Sequence, residues 1–236
     1  MKAVLFDLGD TLFGHGAGTT TSMGYTGAKR AYDRVKELVG EAPGYTTYYA
    51  KVTAIFAKMA VASSGLEEIN IREQISGLFA GLGTKLDSNQ LDEAIRAWYG
   101  PFSDNLKLLD ETPPVLAALK AKGLKLGIIS NTIWPGRLIE DDLKKAGIRQ
   151  FFDCVVASSD VGIRKPAGEI FGAALEKLSL PAGECVFVGD SIKVDVVGAQ
   201  QAGMKSVLVE RREETGPEPD ARIRSLAELE SVLENL

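Results

Sequence analysis

Four short stretches hold the residues whose types and spacing could do chemistry. They are Asp7-Leu8-Gly9-Asp10-Thr11, Ser130-Asn131-Thr132, Gly162-Ile163-Arg164-Lys165-Pro166, and Gly189-Asp190-Ser191 with Asp195 following. A carboxylate such as Asp7 can serve as a nucleophile or as a metal ligand, although alone it reads as an ordinary acidic residue of a strand-to-loop turn. Asp190 and Asp195 weigh against that plain reading. If both converge on the edge that holds Asp7, three carboxylates repel unless a cation is present, and a hard divalent ion such as Mg²⁺ is the economical cation. Lys165 precedes a helix start, where positive charge opposes the macrodipole, so it makes more sense with an anion between the two. Each stretch keeps a plain alternative. Ser130, Asn131 and Thr132 are good turn formers or caps, Lys165 a solvated lysine, and Asp190 and Asp195 a turn residue and a first-turn dipole partner.

These residues need a scaffold that brings them together. After Lys2, residues 3–6 form an apolar run that ends in Asp7 and a glycine turn. That pattern predicts a buried parallel strand delivering Asp7 to the carboxyl edge of a sheet, where open α/β sheets bind ligands. From Leu108 onward helices and strands alternate. Pro113 and Pro114 start a helix that Gly123 ends, and the apolar run 124–129 follows. Helices over 135–146, 166–178 and 194–202 lead into strands over 154–157, 185–188 and 206–209, and Leu226, Leu229, Val232 and Leu233 mark a last helix. Repeated units of this kind predict an α/β fold, a doubly wound parallel (Rossmann-like) sheet.

The stretch between differs in period. A glycine- and threonine-rich passage over 14–21 reads as a hinge, and apolar residues then recur at helical spacing. Val52, Ile55, Phe56 and Met59 form one stripe, Ile71, Ile75, Leu78, Phe79 and Leu82 another, and Leu91, Ala94, Ile95 and Trp98 a third. Residues 100–105, with Gly100 and Pro101, read as a return linker. The expected organisation is a core domain of 1–13 and 106–236 with a smaller all-helical cap domain of 14–105.

Composition narrows the function classes. The chain has 236 residues, 45% hydrophobic and 25% charged, and a net charge of −5, which fits an ordinary globular protein and disfavours nucleic acid or anionic membrane as partners. Small molecules are the better-matched ligands. No leader-like segment precedes the first strand and no apolar run could span a bilayer, so a cytoplasmic location is expected. Cys154 and Cys185 each open an apolar run and read as small core residues rather than a disulfide or metal pair.

Together the four stretches resemble the signatures of the haloacid dehalogenase-like (HAD) superfamily, in order, with a helical cap inserted after the first. The resemblance implies that Asp7 is the catalytic nucleophile and that Mg²⁺ is held by Asp7, the Gly9 carbonyl, Asp190 and Asp195. It further implies that Ser130 and Lys165 grip transferring phosphoryl oxygens, with Asn131 beside them, and that Asp7 becomes an aspartyl phosphate. Such a set suits phosphoryl transfer, which depends on positioning and charge neutralisation.

One feature departs from that family pattern. The usual order places an acid/base aspartate two residues after the nucleophile and a glycine next, whereas here Gly9 precedes Asp10. Asp10 from a shifted turn, or His15, the only histidine, are the candidates for the missing role. Three functions compete: a Mg²⁺-dependent phosphatase for a small phosphorylated metabolite, a metal-independent dehalogenase that leaves Asp190 and Asp195 unexplained, and a phosphate-binding regulatory protein with weak turnover, favoured by Gly9.

Overall fold

The computed structural model describes residues 1–41, 43–62 and 65–236, with 58–62 described by backbone alone, so Met59 of the first expected stripe lies outside the described side chains. The chain opens with β1 (Ala3–Phe6), continues through β2 (Phe13–His15), and then runs through four helices, α1 (Thr20–Val39), α2 (Tyr45–Ala62), α3 (Ile71–Ala80) and α4 (Ser88–Asn105). It continues as β3 (Leu106–Leu108), α5 (Thr112–Ala121), β4 (Lys125–Ser130), α6 (Gly136–Lys145), β5 (Cys154–Ala157), α7 (Ser158–Val161) and α8 (Gly168–Leu178). The last elements are β6 (Cys185–Gly189), α9 (Val197–Gln201), β7 (Lys205–Val209), β8 (Ala221–Ile223) and α10 (Leu229–Leu233). Two compact units result, Met1–His15 with Lys107–Leu236, and Gly16–Leu106.

In the first unit six strands form one sheet in the order β5-β4-β1-β6-β7-β8, and the described pairings are all parallel. This is the expected α/β class. All four residues of β1 and all five of β6 are buried, as strands covered on both faces must be. Strand β1 lies between β4 and β6, where the strand order reverses, and the crevice at the carboxyl ends of such strands is the natural ligand site of the architecture. Ile170, Phe171, Ala174 and Leu178 of α8 pack with Leu5, Cys154, Cys185 and Phe187 in one core cluster, and both cysteines are free and buried.

The second unit is all helical. Asn70 and Asp87 accept hydrogen bonds from the backbone N–H groups of Glu73 and Gln90, capping α3 and α4. Helices α1 and α4 approach closely because Gly27 has no side chain: a Cβ there would collide with the Trp98 carbonyl. Trp98 Nε1 also donates to the Gly24 carbonyl at 2.9 Å. Residues 100–105, expected as a linker, are instead the last part of α4 with Pro101 buried inside it. Burial of Trp98, Tyr99 and Pro101 itself outweighs the hydrogen bond that Pro101 forfeits, a local cost that sequence rules weigh too heavily. Among the described residues no helix is long and apolar enough to cross a membrane.

Candidate active site

Asp7 directly follows β1, and its N–H donates to the Val188 carbonyl of the neighbouring β6 at 2.9 Å, which fixes the carboxylate at the sheet edge. Lys165 arrives from the other side. Its Nζ donates to Asp7 Oδ1 at 2.6 Å and to Asp195 Oδ1 at 2.7 Å, and its side chain is 1% exposed. A buried ammonium is tolerated only when paired, and here two carboxylates pair it while the Phe187 ring lies 5.1 Å away. The backbone of Lys165 is held by Asn131, at the end of β4. Asn131 Oδ1 accepts from Lys165 N–H at 2.8 Å and its Nδ2 donates to the Lys165 carbonyl at 3.0 Å. Ser130, the last residue of β4, is buried at the same edge.

Asp195 was expected in a plain helix over 194–202. The chain instead makes one wide π turn over Ile192–Val196 before α9, a device that re-aims a side chain, and Asp195 lies on that turn. Its Oδ2 accepts from Ser191 N–H at 3.0 Å. Gly189 is required beneath it, because any side chain there would strike the Asp195 carboxylate. Asp7, Asp190 and Asp195 thus bring ligand oxygens within 4.8 Å of one another. Burial, opposed by Lys165 and reinforced by Asp195, raises the Asp7 carboxyl to about 7. Burial and then Asp195 raise Asp190 to about 6. Three hard oxygen donors under mutual repulsion fit a divalent cation such as Mg²⁺, which would relieve that repulsion.

The Gly9–Asp10 region departs in backbone as well as in sequence. Asp10 holds φ 55°, the left-handed region that glycine adopts at least cost and that Asp tolerates better than most residues. Gly9, with no side chain, faces His15: a Cβ at position 9 would lie 3.4 Å from His15 Nε2. His15 Nε2 is also 4.0 Å from Asp10 Oδ1. Asp10 itself stands outside the three-carboxylate cluster, about half exposed beside this imidazole.

Several site residues escaped the sequence reading. The stretch over 210–220 brings Arg212 Nη1 to 3.2 Å from Asp190 Oδ2 and Arg211 Nε to 2.9 Å from the Asp10 carbonyl. Glu214 accepts from Ile192 N–H at 2.7 Å, Ser191 Oγ at 3.3 Å and Arg212 Nε at 2.7 Å. The one available signal was the run of charges directly after an apolar strand. Thr132 keeps its plain role, since its hydroxyl accepts from Trp134 N–H at 3.2 Å in the turn before α6. Asp160 accepts from Gly136 N–H at the start of that helix at 3.1 Å.

This fold and edge constellation agree with the comparisons to known proteins. Residues 1–203 match the model of the haloacid dehalogenase-like hydrolases, and the chain belongs to that family. Among curated proteins it is 29% identical to a glyceraldehyde 3-phosphate phosphatase of Methanocaldococcus jannaschii, over 100% of this chain and 98% of that one. Among solved structures it resembles a HAD phosphatase from Thermococcus onnurineus with TM-score 0.62 and 28% identity, covering 99% of this chain and 98% of the other. It also resembles a 2-haloacid dehalogenase from Pseudomonas syringae with TM-score 0.66 and 25% identity, covering 100% and 99%.

Proposed function

We propose that this protein is a Mg²⁺-dependent phosphohydrolase acting on a small phosphorylated metabolite through an aspartyl phosphate on Asp7. The observation that carries the reading is the buried Lys165 bridging Asp7 and Asp195 beside Asp190, a cationic and oxygen-rich cluster at the sheet edge suited to a phosphoryl group. Likeness to two phosphatases over nearly the full chain supports it. Asp7, Asp190, Asp195 and the Gly9 carbonyl would hold Mg²⁺. Bound there, Mg²⁺ supplies charge neutralisation between the carboxylate nucleophile and the phosphoryl oxygens.

The chain's own residues do the rest. Lys165 and Ser130 hold phosphoryl oxygens, and Asn131 acts through Lys165 by fixing its backbone. An Asp7 oxygen attacks phosphorus as the bond to the ester oxygen breaks, and that departing oxygen takes a proton. Water then attacks the phosphorus of the acyl phosphate, gives up a proton and releases inorganic phosphate, which restores Asp7. The proton donor and acceptor is assigned to the His15–Asp10 pair, whose imidazole faces the bare position 9. The helical unit is assigned as a cap domain and the protein to the cytoplasm.

A dehalogenase reading is favoured only by the likeness to the Pseudomonas enzyme, and it gives Asp190 and Asp195 no work. The deciding assay is hydrolysis of an aryl phosphate with and without chelator. Activity that needs Mg²⁺ and vanishes in Asp7→Asn is expected, whereas undiminished hydrolysis in excess chelator overturns the mechanism. Tight phosphate binding without turnover would instead favour the regulatory alternative. A panel of phosphorylated metabolites then names the substrate.

A further inference from the structure

Three carboxylates and two cationic side chains meet at the sheet edge, and the two cations divide the work unequally. Lys165 is buried and bridges Asp7 and Asp195, whereas Arg212 touches Asp190 alone at 3.2 Å and its side chain is 51% exposed. Arg212 is nevertheless not adrift. Its Nε donates to Glu214 at 2.7 Å, and Glu214 is anchored by the Ile192 N–H at 2.7 Å, within the turn that carries Asp195. The guanidinium is therefore fastened from behind, through Glu214, to the turn that carries Asp195 while it faces Asp190.

We propose that Arg212 is the exchangeable counter-ion of this cluster. It covers Asp190 Oδ2 when the carboxylates hold no divalent cation and yields that oxygen when one binds. The proposal rests on the metal-site reading above. Its physical basis is that a guanidinium and a divalent cation repel each other across one carboxylate, while the empty cluster needs Arg212 to offset the crowding of Asp190 by Asp195. Tethered on Glu214, the displaced arginine stays beside the site instead of dispersing into solvent. Arg212 thereby sets how tightly the centre holds its cation, and the affinity that this chain shows for Mg²⁺ is the net of binding and displacement.

The test is Mg²⁺ binding to the full-length metal-free protein by titration calorimetry at fixed ionic strength, with melting temperature measured in parallel. In Arg212→Gln the Mg²⁺ dissociation constant should tighten about fivefold, the factor equivalent to ~1 kcal/mol. Its metal-free melting temperature should fall while the Mg²⁺-loaded value stays that of the unsubstituted protein. Arg222→Gln removes the same charge from a surface arginine paired to Glu210 and Glu218, and it should leave the dissociation constant unchanged. Equal affinities in Arg212→Gln and the unsubstituted protein would overturn the proposal while leaving the metal site intact. Equal tightening in both variants would also overturn it, since only net charge would then matter. Absence of Mg²⁺ binding in every protein would overturn the metal-site reading itself.

Discussion

The two units bury different things. Every buried charged or plainly polar side chain among the described residues, from Thr11 through Lys165, Asp190 and Asp195 to Ser206, belongs to the α/β unit. The helical unit buries Ala31, Val35, Val52, Ile75, Phe79, Ile95 and Trp98, and its ion pairs, such as Lys29 with Asp33 and Arg34 with Glu93, are exposed. Burying charge opposes stability unless each ion finds a partner, so a fold that does so in one half only has placed its chemistry there. The helical half follows ordinary packing rules, with an apolar core supported by helix caps at Asn70 and Asp87 and by the hydrogen bond from Trp98 to the Gly24 carbonyl.

The largest expected effects lie in the α/β half. Asp7→Asn and Lys165→Ala should each lower phosphatase turnover by about 10⁴-fold or more. Lys165→Ala should also destabilise the metal-free protein by roughly 3 kcal/mol, because Asp7 and Asp195 lose their shared cation. Turnover surviving either change would break the comparison at its root.

In the helical half the largest effect should come from packing. Gly27→Ala forces a methyl against the Trp98 carbonyl and should cost about 3 kcal/mol of stability, read in a denaturant titration. A change in melting temperature smaller than that of an exposed substitution would show that α1 and α4 are not held at this distance.

His15→Ala tests the bare position at Gly9. Alkyl phosphate turnover should fall about 10²-fold while aryl phosphates, whose leaving groups need no proton, are spared. An unchanged alkyl-to-aryl ratio removes His15 from the chemistry.

The pH dependence separates the halves by the range in which it falls. Asp7 and Asp190 are raised from 3.8 to about 7 and about 6, so between those values the folded metal-free protein binds more protons than the unfolded chain. Their contribution is fully present below about pH 4 and is lost as the pH rises through 6 and 7, opposite to a carboxylate whose folded-state pKa is lowered. The metal-free melting temperature should therefore drop by roughly 5 °C across that interval, and Mg²⁺ should remove the drop. In the helical half the shifts on Lys29, Arg34 and Tyr48 are upward from values of 10.0 or more, outside this window. A metal-free protein that gains stability from pH 4 to 7 contradicts the assigned repulsion.

The smallest effect concerns backbone strain. Asp10→Gly should stabilise the fold by about 1 kcal/mol by relieving the left-handed conformation at φ 55°. A loss of stability would show that the Asp10 carboxylate contributes more than its backbone costs.

How much of this was legible from residues alone follows from the range of the forces. Strands such as 3–6 and 185–189 are apolar on both faces, and the burial that selects them is written in local composition, so the α/β class could be read directly. Asp7, Ser130 and Asp190 stand at or just beyond strand ends, and a parallel sheet sends all such ends to one edge. Local rules misread α4, because Pro101 is overruled by packing around Trp98, and they missed β8, whose three residues pair only because β7 offers an open edge. Contacts between distant residues needed the folded chain. Lys165 meets Asp7 across 158 positions, Arg211 meets the Asp10 carbonyl across 201, and the π turn that aims Asp195 has no sequence mark. Residue type and periodicity determined which chemistry was available and on what scaffold. Which cation faces which carboxylate, and that an imidazole faces Gly9, was decided by tertiary packing, since side-chain direction depends on neighbours that the linear order does not bring together.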